Sequence, residues 1–287
     1  MRLPATLSKL VLLVVLCACI GGSFVPGASS APPAATFHVA VSTHVTRSRV
    51  PRGGKAVSRF PTSHGVVAAA AYLSRRAGET AFAVYSNKHK ISGLKIHERF
   101  HSASVVKSML LVAYLKKIAA EHGDLDGGNE GLMYPMIHSS DNDAASAIFA
   151  IVGEGGLAGV AREAHMTDYE SGEGVWGFTE ISAADMARFF YIQDTLIPRR
   201  FDGYARWLLS HIEPGESWGI PATARPEFKV FFKGGWLPEI EGLVNQVARL
   251  ERGKETFAMA VLTRHDPSMG YGEETLAGVT SRLIEGD

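Results

Sequence analysis

The sequence is almost without cysteine, and it has no excess of charge of either sign. Its two cysteines, Cys17 and Cys19, lie close to the amino terminus, so residues 20–287 contain none. That distribution excludes thiol catalysis, a cysteine-ligated zinc site and disulfide stabilisation from the body of the chain. Lysine plus arginine and aspartate plus glutamate number 29 each, which gives no electrostatic basis for binding nucleic acid or an anionic membrane surface.

The amino terminus has the pattern of an export signal. Basic residues precede an apolar run, Leu10–Ile20, and small residues follow at Gly27–Ala31. A basic start, an apolar run too short to span a bilayer and a small-residue exit are typical of a secretory signal peptide. We therefore expect a signal peptide over residues 1–30 and a secreted or envelope-associated protein, with no transmembrane segment in the mature chain. A lipid anchor at Cys19 is the alternative.

The rest of the chain divides into a tether and one domain. Residues 31–60 mix proline, serine, threonine and glycine without a helical period, which is typical of a flexible linker. Residues 61–287 alternate helical and strand patterns, in the order helix, two strands, helical block, three strands, helix. This order predicts an α/β fold. We expect a five-stranded antiparallel sheet, covered by the amino- and carboxy-terminal helices, with an inserted all-α lobe.

A buried helix with a polar start is the first candidate for chemistry. The second strand is predicted over Ile91–Phe100, and from Ser104 to Ala120 apolar residues recur around nearly the whole helix. Lys107 lies one turn after Ser104 on the same face. Loss of solvation favours the neutral form of a buried lysine, and such an amine can activate a neighbouring hydroxyl. The pattern indicates a serine–lysine acyl-transfer site; the alternative is a helix cap followed by a lysine that reaches solvent.

Ser-x-x-Lys alone is weak, because it is expected about once by chance in a chain of this size and recurs at Ser92–Lys95. Two further segments carry suitable chemistry. Ser140-Asp141-Asn142 offers a hydroxyl and an amide, or else a capping turn. The segment Lys233–Trp236 offers a cation at a strand edge and glycines that let a substrate approach the backbone, or else a strand that closes into a turn.

These three segments, in this order, resemble the motif set of the penicillin-recognising serine hydrolases, which include class A β-lactamases and D-Ala-D-Ala peptidases. The resemblance spans about residues 62–285. It implies the α/β fold with an all-α lobe that the order of elements also predicts. It implies neither a cofactor nor a metal.

The resemblance also assigns roles. It makes Ser104 the acylated nucleophile, Lys107 its base and Ser140 the relay of a proton to the leaving nitrogen. It implies four substrate-binding residues: Asn142, Lys233, Gly235 and Trp236. The backbone N–H groups of Ser104 and Trp236 would form the oxyanion hole.

Two departures from the family pattern concern the substrate and the release of the acyl group. Gly234 replaces the usual serine or threonine, which removes a charge-assisted hydrogen bond to a substrate carboxylate, roughly 1.5–3 kcal/mol. Arg225 and Arg249 are both candidates for binding that carboxylate. The loop before Glu180 lacks the Glu-x-x-Leu-Asn sequence whose glutamate activates the deacylating water. Candidate bases there, by position, are Glu170 and Glu173.

A competing motif, His97-Glu98-Arg99-Phe100-His101, matches the His-Glu-x-x-His pattern of zinc proteases. That chemistry requires both histidines on one face of a helix. Here apolar and polar residues alternate with the period of a strand, which directs Glu98 away from both histidines. The segment is therefore interpreted as a strand and not as a zinc site.

The sequence thus predicts an exported serine hydrolase that acts through an acyl-enzyme on a β-lactam or a related cyclic or D-amino-acid amide. The alternatives are a D,D-carboxypeptidase or esterase acting on cell-wall peptides, and a non-catalytic penicillin-binding-like domain. The expected partner is a small molecule or a peptidoglycan peptide.

Overall fold

A computed structural model describes residues 61–86 and 90–285. The predicted signal peptide (1–30) and tether (31–60), with Cys17 and Cys19, lie outside the described residues. The first helix, α1 (Ser63–Leu73), begins after Thr62, whose hydroxyl accepts the N–H of Gly65 at 3.0 Å. This side-chain cap satisfies one of the N–H groups that have no partner within a helix.

Seven strands are present in the described residues: β1 (Glu79–Ser86), β2 (Ile91–Leu94), β3 (Arg99–His101), β4 (Glu180–Ser182), β5 (Lys229–Leu237), β6 (Leu243–Arg252) and β7 (Glu255–Arg264). Five of them form one antiparallel sheet in the order β2-β1-β7-β6-β5. The predicted five-stranded antiparallel sheet is confirmed. Strand β5 is at its edge, so one row of backbone groups of β5 is not used in the sheet.

The remaining helices are α2 (Lys107–Ala120), α3 (Gly127–His138), α4 (Asn142–Glu163), α5 (Ala183–Leu196), α6 (Asp202–Ser210), α7 (Ile220–Ala224) and α8 (Met269–Ile284). Helices α1 and α8 pack together, and α8 also contacts β6 and β7. Helices α2, α3, α4 and α6 form the inserted lobe. The predicted arrangement of terminal helices and an all-α lobe is therefore confirmed.

Helix α4 is the one described helix long and apolar enough, by length and composition, to cross a membrane. Its Ala145, Ile148, Leu157 and Val160 are buried in the core of the protein. The helix also bends at Gly153, where φ is 65°. One third of its most apolar stretch is buried within the domain.

The predicted strand Ile91–Phe100 is wrong in one respect, because it is two strands. Lys95 has a φ of 49°, and the N–H of Glu98 donates to its carbonyl at 2.9 Å. This turn separates β2, which pairs with β1, from β3, which pairs with β4 in a second, two-stranded sheet. Alternation of apolar and polar residues continues through the turn and therefore conceals it.

Candidate active site

Ser104 lies in a 3₁₀ turn, Ala103–Val106, between β3 and α2. The residue before it, Ala103, has a φ of 44°, in a left-handed region that costs a non-glycine residue of order 1–3 kcal/mol. Ser102 anchors the turn, because it is fully buried and its N–H donates to the carbonyl of Thr179 at 2.8 Å. Ser104 itself is half-buried, so part of this residue is accessible to solvent.

Lys107 begins α2 and is fully buried. Its Nζ donates to Oδ1 of Asn142 at 2.7 Å and to the carbonyl of Ser140 at 2.5 Å, and it lies 3.3 Å from the Ser140 hydroxyl. The ring centre of Trp176 is 5.0 Å from the same nitrogen. Burial, followed by the nearby Lys233 cation, lowers the pKa of Lys107 to about 7. A substantial fraction of this amine is therefore neutral near pH 7.

The segment Ser140-Asp141-Asn142 connects α3 to α4 and has two roles at once. Asp141 caps α4, since its Oδ1 accepts the N–H of Ala144 at 2.7 Å. Ser140 has a φ of 53°, a turn conformation that directs the chain into the new helix. The residues on both sides of the cap contact Lys107. The capping interpretation thus applies to Asp141, and the chemical roles of Ser140 and Asn142 stay predictions.

Gly235 allows the edge strand β5 to lie against the Ser104 turn. A Cβ at this position would lie 2.7 Å from the backbone nitrogens of both Ser104 and Val105. Real side chains do not approach backbone that closely, so only glycine fits. The backbone of Trp236 follows immediately. An oxyanion hole built from the N–H groups of Ser104 and Trp236 requires this close approach of the two segments.

Lys233 is fully buried on β5, and its charge is paired within the protein. Its Nζ donates to Oε2 of Glu216 at 3.0 Å and to the carbonyl of Gly234 at 3.2 Å. Burial lowers the pKa of Lys233, and the contact with Glu216 opposes that effect. Sequence analysis did not identify Glu216. Its one signal is an acidic residue within the turn-forming segment Pro214–Trp218.

The two candidate deacylation bases lie on the loop between α4 and β4. Glu170 forms an ion pair with Arg99, and its backbone pairs with that of Glu180. Glu173 is exposed at a turn with a φ of 50°. In residues 61–86 and 90–285, the hydrogen bonds of Lys107 go to Ser140 and Asn142 and not to either glutamate. A base at Glu170 or Glu173 stays a prediction.

This loop is attached to α5 by a buried carboxylate. The oxygens of Asp185 accept the N–H groups of Thr167 and Asp168 at 3.0 and 2.7 Å, and Ser182 caps the helix by accepting the N–H of Asp185 at 3.2 Å. Burial raises the pKa of Asp185, and these N–H donors oppose the effect. These hydrogen bonds to Asp185 fix the start of the loop, and the same loop places Trp176 beside Lys107.

The two histidines of the zinc-protease motif have separate partners. His97 Nδ1 lies 2.8 Å from Asp168, and His101 Nδ1 lies 2.5 Å from Glu241. His97 is in the turn after β2, whereas His101 ends β3. In the part of the chain that the structure describes, no group of three or more histidine, cysteine or acidic residues could hold a metal ion. The helical presentation that the zinc motif requires does not occur here.

Residues 129–285 match the sequence model of the beta-lactamase enzyme family. The chain belongs to this family. The matched region includes Ser140, Asn142 and the segment Lys233–Trp236, and it begins after Ser104 and Lys107. No curated protein sequence matches this β-lactamase family member.

Solved structures of β-lactamases share its fold. A β-lactamase from Sphaerobacter thermophilus superposes with a TM-score of 0.67 at 18% identity, over 78% of this chain and 96% of that one. A class A β-lactamase from Bacteroides cellulosilyticus gives 0.69 at 14% identity, over 79% and 98%. One from Mycobacterium abscessus gives 0.65 at 17% identity, over 77% and 98%. The family makes this protein a β-lactamase-like hydrolase, and its fold is that of class A β-lactamases.

Proposed function

We propose that this protein hydrolyses an amide or ester through an acyl-enzyme formed on Ser104. The observation that supports the proposal is the convergence of three distant segments. Lys107 follows Ser104 by one turn, the Ser140–Asn142 segment contacts the Lys107 amine, and Gly235 lies against the Ser104 backbone. A nucleophile, a buried amine, a second hydroxyl and two backbone N–H donors are the groups that acyl transfer requires.

The steps follow from these positions. Neutral Lys107 accepts the proton of the Ser104 hydroxyl as Oγ bonds to the substrate carbonyl carbon. The carbonyl oxygen becomes an oxyanion, to which the N–H groups of Ser104 and Trp236 donate. When the carbon–nitrogen bond breaks, the leaving nitrogen takes the Ser140 proton, which Lys107 replaces across 3.3 Å. Water then hydrolyses the Ser104 ester and releases the acid.

The proposed substrate class is a β-lactam or a related cyclic or D-amino-acid amide. A second candidate is an enzyme of the D,D-carboxypeptidase or esterase type, whose acyl-enzyme persists. The pairing of Glu170 with Arg99 favours the second candidate, because the carboxylate of this candidate base is already engaged by a guanidinium. The two candidates share acylation and differ in deacylation.

The test is prolonged incubation with a high concentration of a fluorescent penicillin, followed by intact mass measured over time. We expect an adduct at Ser104 that Ser104→Ala abolishes. Ser92→Ala is the matched control, since Ser92-Gly-Leu-Lys95 has the same spacing but Ser92 is exposed on β2; its adduct should be normal. A transient adduct supports a β-lactamase and a lasting one a peptidase-like enzyme. Absence of any adduct at Ser104 contradicts both.

We also propose that the protein acts outside the cytoplasm, on the strength of the signal pattern in residues 1–30. The test is cell fractionation together with the mass of the mature amino terminus. Cleavage close to residue 30 supports secretion, and a lipid on Cys19 supports the anchored alternative. A full-length cytoplasmic chain would contradict export.

A further inference from the structure

Lys233, the cation that the family resemblance places among the substrate-binding residues, is already paired with a carboxylate of the protein. The side chains of Lys233 and Glu216 are 0% and 8% exposed, and their charged atoms lie 3.0 Å apart. An ammonium group has three N–H donors; here Glu216 takes one and the carbonyl of Gly234 takes another. Because the opposite charge is so close, an approaching anion meets a short dipole and not a net positive charge.

Gly234, next to Lys233, stands where the family usually has a serine or threonine hydroxyl, and the indole of Trp218 lies beside it. A Cβ at Gly234 would lie 3.3 Å from two ring atoms of Trp218. Trp218 in turn contacts the ring of Trp236 edge to face, with centroids 5.8 Å apart. The wall of the site next to Lys233 is therefore aromatic, which suits an uncharged, apolar group.

Of the two arginines considered as carboxylate ligands, Arg249 is held by carboxylates of the protein and Arg225 makes a single contact with a carbonyl. Arg249 lies 2.9 Å from Asp194 and 2.8 Å from Glu251, and it also donates to the carbonyl of Tyr191. Arg225 donates to the carbonyl of Ser210 at 3.3 Å. A substrate anion at Arg249 would therefore compete with two carboxylates that are already in place.

We propose that this site takes a neutral substrate, an amide or ester with no carboxylate beside the scissile bond, and that Glu216 determines this specificity. Glu216 acts by occupying Lys233 before a substrate arrives. An uncharged group of the substrate packs against Trp218 and Trp236 instead. This inference rests on the proposed acyl-enzyme at Ser104. It narrows the proposed substrate class to uncharged cyclic amides and esters, and it excludes a D,D-carboxypeptidase, whose substrate carries a carboxylate beside the scissile bond.

The experiment compares a penicillin with its own methyl ester, which differ only in the carboxylate. The second-order rate of adduct formation at Ser104 is measured by intact mass for each compound. We expect the wild-type protein to react with the ester at least about tenfold faster, and Glu216→Gln to move the ratio of rates toward the acid by about tenfold or more, the worth of one charge-assisted contact. The ratio is independent of the fraction of active protein.

Glu213→Gln is the matched control. Glu213 belongs to the same turn and favours the charged form of Lys233 from a distance, but it makes no contact with the ammonium group. The variant removes the same charge as Glu216→Gln. We expect its ratio of rates to equal that of the wild type.

The outcomes separate this inference from the proposed function. A wild-type protein that reacts faster with the acid overturns the inference and leaves the acyl-enzyme standing. An unchanged ratio in Glu216→Gln overturns the role of Glu216. No adduct with either compound overturns the proposed function itself. If Glu216→Gln does not fold, Glu216→Asp shortens the side chain and tests the same contact, while the wild-type ratio by itself decides whether a carboxylate is disfavoured.

Discussion

Two fully buried lysines serve one candidate site, and they differ in their partners. Lys107, at the helical lobe, contacts a hydroxyl, a carbonyl and an amide, all neutral. Lys233, on the sheet, contacts the carboxylate of Glu216. Burial disfavours the charged form of both amines. Burial therefore lowers the pKa of both lysines; at Lys233 the contact with Glu216 opposes that effect, whereas at Lys107, whose pKa falls to about 7, no carboxylate is in contact.

The two lysines are also coupled. The positive charge of Lys233 lowers the pKa of Lys107, and the negative charge of Glu216 raises it. The Lys233–Glu216 ion pair on the sheet therefore changes the pKa of Lys107 through its charges. Two buried lysines thus differ in the charge of the groups that they contact.

Removal of the lobe amine should have the largest effect. Lys107→Met keeps the length of an apolar side chain and deletes the base, so we expect acylation of Ser104 to fall about 10³-fold, within the range for loss of a general base. The rate of adduct formation by intact mass measures it. Lys95→Met is the matched control, because Lys95 ends the second Ser-x-x-Lys and its amine pairs with Glu98 at the surface. Similar losses in both variants would contradict the assignment.

The next effect concerns the approach of sheet to lobe. Gly235→Ala places a methyl group 2.7 Å from the backbone of the Ser104 turn, which must shift, whereas Gly234→Ala meets the indole of Trp218 at 3.3 Å. We expect Gly235→Ala to lower the acylation rate about 10- to 100-fold, because small displacements of reacting groups are costly. Gly234→Ala should lower the acylation rate only a few-fold. Equal losses would show that the backbone approach is not needed.

The sheet and the lobe could be predicted from the sequence because the patterns that indicate their strands and helices are local. The mainly apolar runs of β1, β6 and β7 and the apolar circumference of α2 each lie within a few consecutive residues. The break at Lys95 was not predictable in this way, since the alternation runs straight through it. A single residue with a positive φ divided one expected strand between two sheets.

At the candidate site, the sequence predicted some of the contacts between residues and not others. The meeting of Lys107 with Ser140 and Asn142 followed from the order of three motifs. The pairing of Lys233 with Glu216 did not, because neither residue belongs to a pattern that includes the other. Trp176 was missed for a related reason: its loop begins at backbone groups held by Asp185, and contacts of that kind leave no periodic trace.

A smaller effect tests the cost of burying Lys107 without a carboxylate. The pKa of this lysine is about 7 in the folded protein, below its ordinary 10.5. Between these values the unfolded chain binds more protons, so this group makes the wild-type protein more stable as pH rises. We expect the stability of wild type relative to Lys107→Met to increase by about 2 kcal/mol from pH 7 to pH 9. Urea denaturation at both pH values measures it, and parallel pH profiles would contradict it.

The smallest effect is the coupling itself. The double variant Lys233→Gln/Glu216→Gln removes both charges of the sheet pair, and the lowering by Lys233 exceeds the raising by Glu216. The pKa of Lys107 should therefore rise, and the pH midpoint of acylation by a neutral ester should move upward. Asp141→Asn is the control of opposite sign, because Asp141 raises the pKa of Lys107 and asparagine still caps α4; its midpoint should move downward. Shifts in one direction for both variants would mean that the midpoint reports a group other than Lys107.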